Sequence, residues 1–288
     1  MAQMDSNAAR RRMVALAWGV ATHGAFVLGV AAMAWSLHAG LHPWGGGLGE
    51  AGGPVAWLVD LALLAQFPLL HSWLLSKDAR PAWLVRAVLG SKGGVLGTSR
   101  FVIVSALRLL LAFTLWQPLS TTAWRPTGAF LVAHEAAFAL AWILLVVAMR
   151  EAGLSVQTGS LGWTSLWKGA APRFPAFRPI GLHALVRHPI YVAFTLVLWT
   201  APTWTLDRFV LGGVWTVYCV LGARRKEARL LERHGAVWEE HAARTPFFVP
   251  GLRPRPVPAR SLESAVAPRM LSAPAPTSGD RGACASSS

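Results

Sequence analysis

A chain of 288 residues that is 54% hydrophobic and only 14% charged is not an ordinary soluble domain, because its apolar excess is gathered into long runs. The formal net charge of +14 does not call for a nucleic-acid partner. Lys and Arg crowd alternate loops, as they do on the cytoplasmic side of membrane proteins, and two cysteines in unrelated contexts, Cys219 and Cys284, exclude a disulfide framework.

In chain order, apolar runs fall at 13–37, 55–76, 101–118 and 128–149, followed by a pair at 189–206 and 208–223. Each approaches or exceeds the roughly 18–20 residues that cross a ~30 Å hydrocarbon core. The first follows Arg10, Arg11 and Arg12 and is too long for the apolar region of a secretory signal, about 7–15 residues, so it is expected to be retained. The turns HPWGGGLGEAGGP (42–54) and LSTTAWRPT (119–127) are short, whereas the loops 77–100 and 150–188 are long and basic. This alternation predicts an all-α integral membrane protein of about six transmembrane helices with both termini cytoplasmic. Only Arg125 and Arg208 fall on the far side, and Arg108 lies within a span. In the second long loop, WTSLWKGAAPRFPAFRPIGLHALV spaces Trp, Phe, Arg and Lys as a segment in the membrane interface does. The Pro-, Ser- and Ala-rich tail 252–288 has little with which to form a core and is expected to be disordered, leaving 1–251 as the transmembrane domain.

The most informative stretch is LVRHPIYVAF, 185–194, polar chemistry at the mouth of an apolar run. From Tyr191 to Glu227 there are 36 residues, broken halfway by Ala201-Pro202 and Thr205-Leu-Asp-Arg208. Two arms of 18 residues rise about 27 Å each, so a helical hairpin is expected to return Glu227 beside the Arg-His-Pro cluster. Taken singly, Arg187 and His188 read as topology anchors, Pro189 as a first-turn helix residue and Tyr191 as an interfacial belt residue. Together with Glu227, set among Arg224, Arg225, Lys226 and Arg229, they read as a site.

RHPIY at 187–191, KEARL at 226–230, HG at 234–235 and TPFFVP at 245–250, in that order and spacing, resemble the C-terminal pattern of the integral-membrane methyltransferases. That superfamily includes isoprenylcysteine carboxyl methyltransferase and the phospholipid N-methyltransferases. Upstream, QFPLLHSWLLSKDAR (66–80), TLWQP (114–118) and LWTAP (198–202) are similar to the NnrU and methanethiol S-methyltransferase branch. The pattern is not complete: Lys226 stands where an acidic residue is usual, and Trp238 and His241 stand where tyrosines are usual.

The resemblance implies an S-adenosylmethionine-dependent methyltransferase whose cofactor module is 187–250. His188, Pro189, Tyr191 and Glu227 would form the cofactor wall, with His188 and Tyr191 near the amino acid head and Glu227 toward the ribose hydroxyls. Arg187 and His71 would act on the acceptor, where a basic environment favours a thiolate. The acceptor implied is a small, methanethiol-like thiol or a lipophilic molecule such as an isoprenylcysteine, reaching the site from the bilayer. No metal and no particular oligomer is implied. The expected location is a bacterial inner membrane, with the site facing the cytoplasm.

Two other readings attach to particular residues. His23, His71 and His134 lie in predicted spans, as haem ligands of a b-type cytochrome do, but at three different depths, whereas two ligands of one haem share a level. The departures at 226, 238 and 241 fit a non-catalytic, NnrU-like accessory protein. Glu135, an acid within a span, reads as functional or as a partner for groups near the outer interface.

Overall fold

The computed structural model describes residues 2–41, 53–75, 88, 94–117 and 124–252. Most of the first basic loop, the glycine-rich turn and the tail 253–288 lie outside them. Among these residues the chain forms helices and no strand, with one isolated bridge between Trp124 and Trp204. In order these are α1 (Ala2–Ala39), α2 (Pro54–Leu75), α3 (Gly97–Thr114), α4 (Gly128–Glu151), α5 (Leu154–Gln157), α6 (Ser160–Lys168), α7 (Leu182–Leu185), α8 (Pro189–Thr200), α9 (Leu206–His234) and α10 (Ala236–Arg244). The chain is an all-α, multi-pass integral membrane protein.

Among the described residues five helices, α1 to α4 and α9, are long and apolar enough to span a bilayer. The sixth expected span is shorter: α8 has 12 residues, about 18 Å at 1.5 Å per residue. The break at 201–205 falls where the sequence placed it, but the arms are unequal, 12 residues against 29. Tyr191 therefore packs beside Gly222 rather than opposite Glu227, and Arg187 and His188 meet Glu227 instead. The first helix also begins earlier than predicted. Ala, Met and Arg are good helix formers, so α1 runs through Arg10–Arg12, and Arg12 lies 5.8 Å over the Trp167 ring of α6.

Close backbone approach joins α1 to α3. A Cβ on Gly29 would stand 2.5 Å from the Ala106 carbonyl oxygen, the small-residue contact that membrane helices use where water drives no burial. Ser36 Oγ donates to the Phe113 carbonyl at 3.2 Å, and Trp163 of α6 donates from Nε1 to His23 Nε2 at 3.2 Å. The core then fills with Leu37, Phe113, Phe138, Val197, Leu211 and Trp215.

Two interior polar contacts repair helices that proline interrupts. Pro68 inside α2 has no N–H to give the carbonyl of Leu64, four residues back. Trp215 Nε1 donates to that carbonyl at 3.3 Å. In an apolar interior an orphaned carbonyl costs about 1–3 kcal/mol, so Trp215→Phe is expected to lower thermal stability in detergent. Pro68→Ala, which returns a main-chain donor, should recover part of that loss when the two are combined; a double variant no more stable than Trp215→Phe would show that the carbonyl is not what suffers.

The second repair corrects the reading of Arg208 as an outer-loop charge. Arg208 is 2% exposed. Its Nη1 donates to the carbonyls of Leu37 (2.7 Å) and Thr203 (2.9 Å), and Nη2 donates to that of Leu198 (2.5 Å). Leu37 and Leu198 lie in the last turns of α1 and α8, where carbonyls lack helical partners, and the residue four beyond Leu198 is Pro202. One guanidinium thus caps two helices and lies 4.6 Å over the Trp204 ring. Glu135, nearby at this end, pairs with Arg125 (2.9 Å) and His38 (3.0 Å).

Candidate active site

The opposite, basic end holds the Arg-His-Pro stretch between α7 and α8. Pro189 occupies the first turn of α8, where its missing N–H costs nothing, and this sets Arg187 and His188 just ahead of the helix. The segment after α10 folds back over them: Arg187 N donates to the Pro246 carbonyl at 2.9 Å, and Arg187 Nε to the Thr245 carbonyl at 2.8 Å. From α9, Glu227 accepts from Arg187 Nη1 at 2.6 Å and lies 3.4 Å from His188 Nε2. The predicted meeting of 187–188 with 227 is present in the structure. Arg187 is 3% exposed and His188 1%, so the ion pair is desolvated on the arginine side and strongly oriented.

Around this pair stands an aromatic wall. The His188 ring is 5.0 Å from Phe247, 5.9 Å from Tyr191 and 6.0 Å from Trp238. Trp238 and His241 on α10 enclose Phe177, at 5.3 and 5.0 Å. Glu151, at the end of α4, accepts from Leu182 N at 2.8 Å and lies 3.5 Å from His183 Nδ1, anchoring the 177–186 segment. Gly181, with φ +60°, sits so close that a Cβ would collide with that carboxylate.

The site's polar atoms are not all used. His188 Nδ1, Trp238 Nε1 and His241 Nε2 are buried without a hydrogen-bond partner. With His188 donating Nε2–H to Glu227, its Nδ1 is an acceptor; with His241 Nδ1 accepting from the Thr245 hydroxyl, 3.2 Å away, its Nε2–H is a donor, as Trp238 Nε1–H always is. An acceptor and two donors beside flat aromatic faces fit a ligand that carries an ammonium, a carboxylate and a ring. Trp238 and His241, read from the sequence as departures, thus keep the donor that a tyrosine would supply. The indole and imidazole N–H groups at 238 and 241 are the signal of this that the sequence carries.

Burial holds the His188 imidazole down at about 4, against the opposing pull of Glu227, and burial likewise lowers His183. A chain that unfolds takes up a proton near pH 6.5 while the folded His188 stays neutral. Its contribution to stability is complete above about pH 6.5 and is lost as pH falls toward 4. Melting temperature in detergent should therefore decline through this window, and His188→Asn should flatten that decline; an equally steep decline in the variant would assign the acid sensitivity to other groups.

His71 belongs to a second cluster, between α2, α3 and α9. Its Nδ1 is 3.3 Å from Ser105 Oγ, and its ring lies 5.0 Å from Phe101, 5.3 Å from Phe67 and 6.5 Å from Tyr218. Arg229 Nη1 donates to the carbonyl of Leu75, the last residue of α2, at 3.2 Å. Tyr191 packs against Gly222, with Lys226 Nζ 5.7 Å over its ring. The two residues expected to act on the acceptor, Arg187 and His71, thus sit in different clusters, with Tyr191 and Tyr218 between them. The three histidines weighed as haem ligands have separate neighbours: Trp163 for His23, Ser105 for His71, and the Thr200 carbonyl, 3.4 Å away, for His134.

Known proteins are similar to about two thirds of the chain. A methanethiol S-methyltransferase from Pseudomonas sp. strain GM41 is 30% identical over 200 residues, 68% of this chain and 74% of that protein. One from Pseudomonas deceptionensis is 28% identical over 204 residues, 70% and 76% of the two chains. Nurim from Sus scrofa is 29% identical over 221 residues, 66% and 81%. No family model and no solved structure matches the chain. With its helical hairpin, its Arg187–Glu227 pair and these relatives, the chain belongs to the isoprenylcysteine carboxyl methyltransferase-like membrane superfamily, on the branch that holds methanethiol S-methyltransferase and nurim.

Proposed function

We propose that the protein is an S-adenosylmethionine-dependent membrane methyltransferase that methylates a small, methanethiol-like thiol or a related lipophilic acceptor, at a site facing the cytoplasm. The observation that carries this reading is the group of unpartnered buried atoms at His188 Nδ1, Trp238 Nε1 and His241 Nε2, set against the oriented Arg187–Glu227 pair. His188 Nδ1 would accept from the ammonium of the amino acid head, and Trp238 and His241 would donate to its carboxylate. Pro189 and Tyr191 would form the adjoining wall, and Glu227, held by Arg187, would use its remaining lone pairs for ribose hydroxyls.

The donor supplies an electrophilic methyl on a sulfonium sulfur, so the chain's own task is to align an acceptor, exclude water and take up one proton. His71 is assigned the proton and Arg187 the fixed positive charge that, through Glu227, keeps the donor side in register. The accessory-protein reading draws on the departures at 226, 238 and 241 and on the likeness to nurim, whose name states no reaction. The retained donors at 238 and 241 favour the enzyme.

Binding of labelled S-adenosylmethionine to membranes containing the protein tests the assignment. Tyr191→Ala should weaken binding by about tenfold or more, a loss of roughly 1.4 kcal/mol, without loss of protein from the membrane. Wild-type membranes that bind no donor above background would move the assignment to the accessory reading.

A further inference from the structure

Arg108 lies in α3 within the apolar sequence LRLLL (107–111), where a guanidinium is costly and needs a reason. Its Nη2 donates to the Gln66 carbonyl at 2.7 Å, and Gln66 Nε2 donates back to the Arg108 carbonyl at 3.0 Å, a reciprocal clamp between α2 and α3. That clamp uses one edge of the guanidinium. The Nε is buried with no hydrogen-bond partner, and no carboxylate pairs with Arg108 among the described residues. One turn before Arg108 on α3, Ser105 stands 3.3 Å from His71 Nδ1. Phe67 and Phe101 flank that imidazole, and Tyr218, which pairs with Ser72, closes the far side. Tyr218 and Tyr191 are the only two tyrosines of the chain; Tyr218 lies against His71 and Tyr191 against His188 of the donor site.

We infer that Arg108, Ser105, Tyr218 and His71 form the seat of the methyl acceptor, and that the seat takes a small apolar thiol and holds it as the thiolate. This rests on the methyltransferase reading and deepens it. A free positive donor in an apolar span asks for an anion, and the aromatic walls of Phe67 and Phe101 ask for a small apolar body. A carboxylate would arrive already ionised and give a neutral imidazole nothing to do, while a protonated amine would be repelled by Arg108 and Arg229. With Nδ1–H donated to Ser105 Oγ, His71 Nε2 is the ring's acceptor. The thiol's S–H bond breaks, its proton goes to Nε2, and the electron pair stays on sulfur, where Arg108 Nε–H and the Tyr218 hydroxyl donate to it. The balance is a proton transfer and needs no oxidant or reductant.

The seat can be read without the methyl donor. Thiophenol, whose thiolate has its own ultraviolet absorption, is titrated into the full-length protein in detergent at a pH below the thiol's own pKa. Wild type should convert bound thiophenol to thiolate. Tyr218→Phe and Arg108→Gln should each shift that ionisation about tenfold, equivalent to one pKa unit. Arg108→Lys, which keeps a charge and a donor for Gln66, serves where Arg108→Gln fails to fold and should retain part of the effect. No thiolate on the wild type, or as much thiolate on Tyr218→Phe and Arg108→Lys as on wild type with no shift in its pH midpoint, overturns the seat. Donor binding is measured on the same preparation: thiolate without donor binding supports the seat and overturns the methyltransferase assignment, and donor binding without thiolate does the reverse.

Discussion

Glu227→Ala is expected to be the most damaging single substitution in the hairpin, and Glu227→Gln the most informative. Arg187 is 3% exposed, and its side chain answers to Glu227 at 2.6 Å and to the Thr245 carbonyl at 2.8 Å. Removing the carboxylate leaves a buried guanidinium without its counter-charge, a change that costs about 3–5 kcal/mol when one partner of a buried pair is deleted. Because Arg187 also holds the Thr245 carbonyl through Nε and the Pro246 carbonyl through its main-chain N–H, the loss should spread to the turn that brings Phe247 over His188. Detergent-solubilised Glu227→Ala is therefore expected to melt well below wild type or to aggregate. Glu227→Gln retains an oxygen for Arg187 and should stay folded, yet lose the charged acceptor. A hydrogen bond to a charged group contributes about 1.5–3 kcal/mol, so donor affinity should fall roughly ten- to a hundredfold. Glu227→Ala with wild-type melting would show that the pair is not structural; Glu227→Gln with wild-type affinity would remove Glu227 from the donor site.

The second large effect is expected at the other end of the molecule. Arg208→Gln withdraws donors from the carbonyls of Leu37, Leu198 and Thr203 at once, at about 1–3 kcal/mol for each carbonyl that finds no substitute. Since the first two belong to different helices, α1 and α8 should separate at this end. Thermal unfolding should drop by more than it does for Arg125→Gln, whose side chain is 44% exposed and whose ion pair belongs to the weak, solvated class. Arg208→Lys should rescue only partly, because one ammonium does not reproduce the fork that reaches two helix ends. Equal losses for Arg125→Gln and Arg208→Gln would contradict the capping role.

Much of this architecture is legible in the residues themselves. Long apolar runs locate α2 to α4 and the far end of α1 within a few residues, Ala201-Pro202 marks the break of the hairpin, and the Arg-His-Pro and Lys-Glu stretches meet as their separation suggests. What the sequence does not reveal is how length divides between the arms. Hydropathy carries the first arm from 189 to 206, but Pro202 and the capped carbonyl of Leu198 end α8 after 12 residues, which turns Tyr191 toward Gly222. The same blindness applies to Arg208: a count of loop charges registers its sign and not its hydrogen bonds. It applies again to Trp215, whose donation to Leu64 is intelligible only once Pro68 is known to lie inside α2. At the site, Arg187 and Glu227 were legible as a pair, whereas the association of Arg108 with His71 needed two helices in register.

On this reading the chain moves a methyl group. The most direct test incubates membranes containing the wild-type protein with labelled S-adenosylmethionine and methanethiol and analyses the headspace for labelled dimethyl sulfide. Label in dimethyl sulfide, absent with Glu227→Gln membranes, is the predicted result. No volatile label, together with no donor retained by the wild-type protein, would contradict methyl transfer and leave the geometry of the hairpin to a non-catalytic role.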